Sequence, residues 1–371
     1  MTRAISTIFL CGDVMTGRGI DQILPHPSPP HIFESYLRDA RGYLALAERD
    51  AGKILTPVDY TYPWGDAVGV WEKMAPDLRI INLETSVTRS EDYWKGKGIN
   101  YRMHPGNIPC LTGAGIDACT LANNHVLDWG YPGLEETLAT LQGAGVQTAG
   151  AGRNLEQAAA PAELMVAGKG IVHLFSYGLE SSGVPEAWGA TATKPGVNLL
   201  PDMSESTVRR ITAQIKGVKT AGDTVIASLH WGGNWGFEVS HEERQFAHRL
   251  IDAAGVDIVH GHSSHHIKGV ELYHGRLIIY GCGDFVNDYE GIRGYEQFRG
   301  ELSLMYFADI DATTGEFAGL TMVPTRMHRF RVQLATASET AWLRETLNRE
   351  GKPLGTCVKS VEDGTLLLQP F

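Results

Sequence analysis

The stretch VDIVHGHSSHH, residues 256–266, runs from a short apolar segment into four histidines, His260, His262, His265 and His266. Its apolar part is continuous rather than alternating, the pattern of a strand covered on both faces. Strands of that kind belong to layered folds in which helices pack outside the sheet. Surface histidines scatter, and core histidines usually come singly. Four within seven positions at a strand end point to a metal site or to paired acid/base groups, because imidazole is both the commonest metal ligand and a group that titrates near neutrality.

The same strand pattern recurs along the chain. TIFLCGDV (7–14), LRIINLET (78–85), IDACTLANNH (116–125), KGIVHLFSYG (169–178) and DTVIASLHWG (223–232) read as further buried strands. Between them, residues 34–50, 131–144, 203–218 and 240–254 carry helical spacing. The last of these opens on Ser240 with Glu243 three residues later and stops at Gly255, a capping box and a C-terminal glycine. Strand and helix alternate, which argues an α/β fold. Residues 267–371 change to strands joined by turns, expected to complete the sheet with antiparallel pairs. Residues 25–64, with PHPSPP near their start, read as an insertion or lid. With no repeat and no low-complexity linker, a single domain over 1–371 is expected.

The bulk numbers exclude some partners. The chain has 371 residues, 43% of them hydrophobic, and a net charge of −11. That charge opposes a nucleic-acid backbone. The start, MTRAISTIFLCGDVM, has too short an apolar run for a secretory signal or a membrane anchor. Five cysteines at irregular spacing (11, 110, 119, 282, 357) suit reduced, buried thiols. The expectation is a cytoplasmic protein with no nucleic-acid and no membrane partner.

Ligands of open α/β sheets sit beyond the carboxyl ends of strands, and here those ends are polar. They carry Asp13, then Asn82 and Glu84, then Asn123, Asn124 and His125, then His230, then His260 and His262, with Asp284 after LIIYGCG. Each has a plain reading: Asp13 as a helix cap, Asn124 as a turn former, His230 as a core histidine. Together they describe a divalent-cation site of mixed oxygen and nitrogen ligands.

The ordered set GDVMTGRG, NLETSV, ANNHVLDWG, SLHWGGNWG, GHSSHH and YGCGDF resembles the CapA-type proteins, named for poly-γ-glutamate capsule synthesis. The resemblance covers about residues 6–290. It implies the calcineurin-like metallophosphoesterase fold, a central β-sandwich flanked by helices with the metal site at its loop edge. Carried over by position, it implies Asp13, Glu84, Asn124, His230, His262 and His265 as metal ligands and His125 as a general acid. The pattern departs in three places. Met15 stands where a second ligand follows the first aspartate, Glu84 replaces an aspartate, and Ser264 displaces the last histidine to 265. One divalent cation, Mn²⁺, Zn²⁺ or Ca²⁺, is therefore expected rather than two.

Two opposed histidines could exchange a proton on the two faces of one carbon, each oriented by a carboxylate. His125, His262 and His265 are the candidate bases, with Asp13, Asp128 and Asp284 as orienting groups. The resemblance extends to enzymes that epimerise the C-terminal residue of lasso-peptide precursors, so the first expectation is a metal-dependent peptide epimerase. Arg18 is the nearby cation nominated for substrate, and Trp231 and Trp235, with Phe237, the receivers of a bulky aromatic side chain; core packing is the competing reading of those rings. The alternatives are a capsule-type hydrolase or transferase of poly-γ-glutamyl or other amides, and a phosphoesterase.

Overall fold

The computed structural model describes residues 5–371. Two sheets form its centre. In the ten-stranded sheet, Ile5–Val14, Leu78–Leu83, Ala118–Thr120 and Gln147–Ala149 run parallel, each beside the next. On the other side of Ile5–Val14 follow Leu302–Asp311 and Phe317–Met327, both antiparallel to their neighbours. In the seven-stranded sheet, Gly170–Leu179, Thr224–His230, Ile258–His262 and Arg276–Ile279 are parallel. The chain fills one sheet, then the other, and returns to the first.

Alternate side chains of one strand go to different cores, which is why these strands read as continuous apolar runs. Ile8, Leu10, Ile80, Leu174, Ile226 and Ile258 meet between the sheets. Phe9, Cys11, Ile81 and Leu83 face the opposite way, into a core shared with helices. On the far side of the second sheet, Val225, Ala227, Leu229 and Val259 pack on Val208, Ile211 and Ile215 of the helix Glu205–Lys216, and on Phe246, Leu250 and Ile251 of the helix His241–Ala254. The spacing of three and four on both helices is the stripe that such packing needs. This is the expected β-sandwich between helical layers. The Ser240–Glu243 capping box forms, and Gly255 ends that helix at φ +73°.

The insertion reading of 25–64 is refined. Its helix spans Arg41–Ala51 and does not start at 34. Ile32, Ala40, Tyr43, Ala47, Ile54 and Trp64 are part of the core on the outer face of the first sheet, so the segment is a packed wall rather than a free lid. The C-terminal part contributes its antiparallel strands and also a helix, Ala337–Gly351. Among the described residues all five cysteines are free thiols, four of them buried. No helix among them is long and apolar enough to cross a membrane.

Strand register then levels the polar residues. Asp13 pairs with Asn82 on one side and Asp284 on the other, and His230 pairs with His262. Gly12 is required here, since a Cβ on it would lie 1.7 Å from the carbonyl oxygen of Gly283.

Candidate functional site

Toward the carboxyl ends of the parallel strands the gap between the sheets changes from apolar to polar. After Ile226 the next inward positions are Ser228 and His230; after Ile258 they are His260 and His262, all buried. From the opposite sheet comes Asp13, whose Oδ1 accepts from Asn82 Nδ2 at 2.7 Å and lies 3.7 Å from His262 Nδ1. Its Oδ2 accepts the backbone N–H of Ser263 at 3.2 Å. Ser263 has φ +101°, a costly backbone for a residue with a Cβ, and that backbone aims its N–H at Asp13. Glu84 Oε1 lies 3.8 Å from both His230 Nε2 and His125 Nε2. Burial, together with the facing Asp13, pushes the Glu84 carboxyl well above its ordinary range. Burial and the neighbouring Asp284 raise Asp13 to about 7.

Apart from Asp128 Oδ1, which is ion-paired with Lys97, three buried atoms here have no hydrogen-bond partner: Glu84 Oε2, Asn124 Oδ1 and His230 Nε2. Each such atom costs about 1–3 kcal/mol when left unmatched. Glu84 and His230 stand at the ends of Leu78–Leu83 and Thr224–His230, and Asn124 in the turn after Ala118–Thr120; each can offer a lone pair, and a cation is a partner such atoms would share. Asp13, His230 and His262 also bring ligand atoms within 4.8 Å of one another, as do Asp13, His265 and Asp284. The donor set fits a divalent cation of mixed N/O coordination.

Two aspartate-held histidines flank this group. On the Glu84 side, His125 Nδ1 is 2.6 Å from Asp128 Oδ2. On the Asp13 side, His265 Nδ1 is 2.9 Å from Asp284 Oδ1. Burial lowers His125 to about 4 against the pull of Asp128. Burial would lower His265 too, but the Asp284 charge and hydrogen bond outweigh it and leave its pKa raised.

The family model described as bacterial capsule synthesis protein PGA_cap matches residues 7–289. The chain belongs to this capsule synthesis protein family. It is 48% identical over 367 residues to a probable polyglutamine synthesis accessory protein of Mycobacterium tuberculosis, covering 99% of this chain and 96% of the relative. It is 27% identical to the PGA biosynthesis protein CapA of Bacillus subtilis, over 79% of this chain and 72% of that one. The capsule biosynthesis protein CapA of Bacillus anthracis is 24% identical, over 76% and 60%. These names favour the capsule-type alternative over the peptide epimerase.

Within this family member, several nominated residues take other places. Arg18 is buried, and its guanidinium is bidentate to Asp288 and bonded to Glu34 and the Tyr43 hydroxyl. It clamps the fold, with four of its five N–H donors committed to buried partners. We expect Arg18→Met to destabilise the protein by about 3–5 kcal/mol, because Glu34 and Asp288 stay buried without their counter-charge. Urea unfolding measures this; unchanged stability with a raised KM would restore the substrate role. Trp231 is also buried, donating Nε1–H to the Tyr280 carbonyl and packing on Phe246, so it is core. Trp235 does stand beside His265, 5.4 Å between ring centroids, stacked on Tyr295. Met15 is buried, and its sulfur accepts from the Tyr289 hydroxyl at 3.5 Å. Ser264 turns back to the His266 carbonyl. His266 ties two loops together, accepting from Gly236 N–H and donating to the Ile267 carbonyl.

One residue was missed. Lys97 Nζ lies 2.6 Å from Asp128 Oδ1 and 2.9 Å from His125 Nδ1. Arg18 is therefore not the cation nearest the chemistry.

Proposed function

We propose that the chain is a divalent-cation-dependent hydrolase or transferase acting on amide bonds of a glutamyl polymer. The unpartnered set Glu84 Oε2, Asn124 Oδ1 and His230 Nε2 carries this reading. The capsule and polyglutamine names of the relatives supply the substrate class. Asp13, Glu84, Asn124, His230 and His262 would hold the ion, which when bound polarises a carbonyl or a water. Asp13 and Glu84 bring the negative charge that the ion requires. His125, steered by Asp128, moves a proton at Nε2 on the Glu84 side, where a leaving amine needs one. His265, held by Asp284, keeps a second proton available on the Asp13 side. Phosphoryl transfer gains nothing from Arg18, which is committed to Asp288 and Glu34.

The two histidine–aspartate pairs on different sides of the site also suit epimerisation, and one experiment separates the readings. The protein is incubated with Mn²⁺ and oligomers of γ- or α-linked glutamate in deuterium oxide. Chain shortening or amide transfer, abolished by a chelator and restored by Mn²⁺, is expected. Deuterium at an α-carbon with every amide intact would replace the hydrolase reading with the epimerase.

A further inference from the structure

His260 and Ser228 have no place in the proposed site, yet both are wholly buried between the sheets. Their hydrogen bonds are continuous with it. The Cys11 carbonyl oxygen can only accept, so His260 Nε2, 2.8 Å away, carries the proton. On the far side of Ser228, His262 turns Nδ1 to the site, 3.7 Å from Asp13 Oδ1, so a His262 that ligates through Nδ1 keeps its proton on Nε2 for Ser228 Oγ and leaves the serine proton for His260 Nδ1. Ser228 Oγ, 3.1 Å away, therefore donates to that nitrogen. With its one proton committed, the same oxygen accepts from His262 Nε2 at 2.7 Å. With its proton on Nε2, His262 has a bare Nδ1 on the side of the centre. That lone pair lies 2.8 Å from His230 Nδ1. In the metal-free protein His230 Nδ1–H fills it, and the orphaned Nε2 of His230 is left bare, 3.8 Å from Glu84 Oε1.

We propose that Ser228 and His260 are positioning residues, a relay anchored on the Cys11 carbonyl that keeps the His262 proton on Nε2 and so leaves its Nδ1 to accept the cation or, in the metal-free protein, the His230 Nδ1–H. The proposal rests on the cation-site reading of His262 and His230. A neutral imidazole ligates through only one of its nitrogens, and the partner of the other nitrogen decides which. A residue that merely filled the gap between the sheets would have no reason to carry a hydroxyl here. Every donor in the relay has one acceptor, and its two ends agree: the Cys11 carbonyl takes the His260 proton and His262 turns Nδ1 to the site.

The test uses the full-length, metal-free protein labelled with ¹⁵N-histidine, whose long-range ¹H–¹⁵N spectra identify the protonated nitrogen of each ring. His260 and His262 should carry their protons on Nε2, and His230 on Nδ1. Ser228→Ala should leave His262 as a mixture of tautomers and weaken Mn²⁺ binding, measured by calorimetry, by about 10- to 100-fold, the usual effect of losing an outer partner of a ligand. Ser228→Thr keeps the hydroxyl and should keep the tautomer. A parent spectrum with the His262 proton on Nδ1 overturns the relay, and needs no variant to fold. So does a Ser228→Ala protein that retains both the parent tautomer and the parent affinity. Neither readout depends on turnover, so a protein with these tautomers that cleaves no glutamyl amide would lose only its assigned chemistry.

Discussion

Glu84→Gln is expected to lower divalent-cation affinity by about a hundredfold or more while making the metal-free protein more stable. Losing an outer partner of a ligand typically costs 10–100-fold, and a direct ligand should exceed that. The stability gain follows from burial. Glu84 is enclosed beside Asp13, its carboxyl pushed up by desolvation and by that neighbour, and an amide removes the crowded charge at nearly constant shape. The same crowding sets a pH dependence. Asp13, near 7 in the fold and about 3.9 when unfolded, binds its proton more tightly in the native state. Its contribution to stability is therefore lost as pH rises from about 4 to 7. Cation binding needs that carboxylate ionised, so it should release protons and tighten over the same window. Calorimetry of Mn²⁺ binding in two buffers of different ionisation enthalpy, at about pH 5.5 and about pH 7.5, reads both effects. Affinity that does not change with pH would overturn the Asp13 linkage, and a Glu84→Gln protein that binds like the parent would remove Glu84 from the ligand set.

Residues whose position follows from strand periodicity were readable, and those whose position depends on distant folding were not. Asp13, Asn82 and Asp284 end strands whose apolar runs were plain in the sequence, and register brings them level. Of the four histidines at 260–266, His262 and His265 face the site while His260 and His266 bond to backbone groups. The role of Arg18 depends on Asp288, 270 positions away, and no local pattern reports such a pair. Lys97 sits in a polar loop beside Lys95, and nothing nearby says which lysine folds back on Asp128. Trp231 was within reach. Alternation past the inward-facing His230 sends the next side chain outward, into the helix-covered core. The helix Ala337–Gly351 was also announced, by Thr336 and Glu339 at capping-box spacing.

His125→Ala is expected to reduce turnover by about 10²–10⁴, the span usual for a positioned acid/base group, with cation affinity retained. Its proton is placed by Asp128. Oδ2 of that carboxylate accepts from the Tyr101 N–H at 2.6 Å and from His125 Nδ1 at 2.6 Å, while Oδ1 is ion-paired with Lys97 Nζ at 2.6 Å. With Nδ1 protonated, a neutral His125 presents a bare Nε2 toward Glu84, so it begins a cycle as a base and gives back the proton it has taken. Burial is the main reason the ring stays neutral near pH 7, and the Lys97 ammonium adds to it while Asp128 opposes. Lys97→Met removes that positive charge and leaves Asp128 in place, so the imidazolium becomes easier to form and the His125 pKa should rise from about 4. The acidic limb of kcat/KM should then move to higher pH, and the His125 Cε1–H resonance should titrate at the higher value in the metal-free protein. A lysine that only tied its loop down would lower activity without moving either midpoint. Measuring both on Lys97→Met therefore separates an electrostatic role for Lys97 from a structural one, and a midpoint that stays at the parent value rules the electrostatic role out.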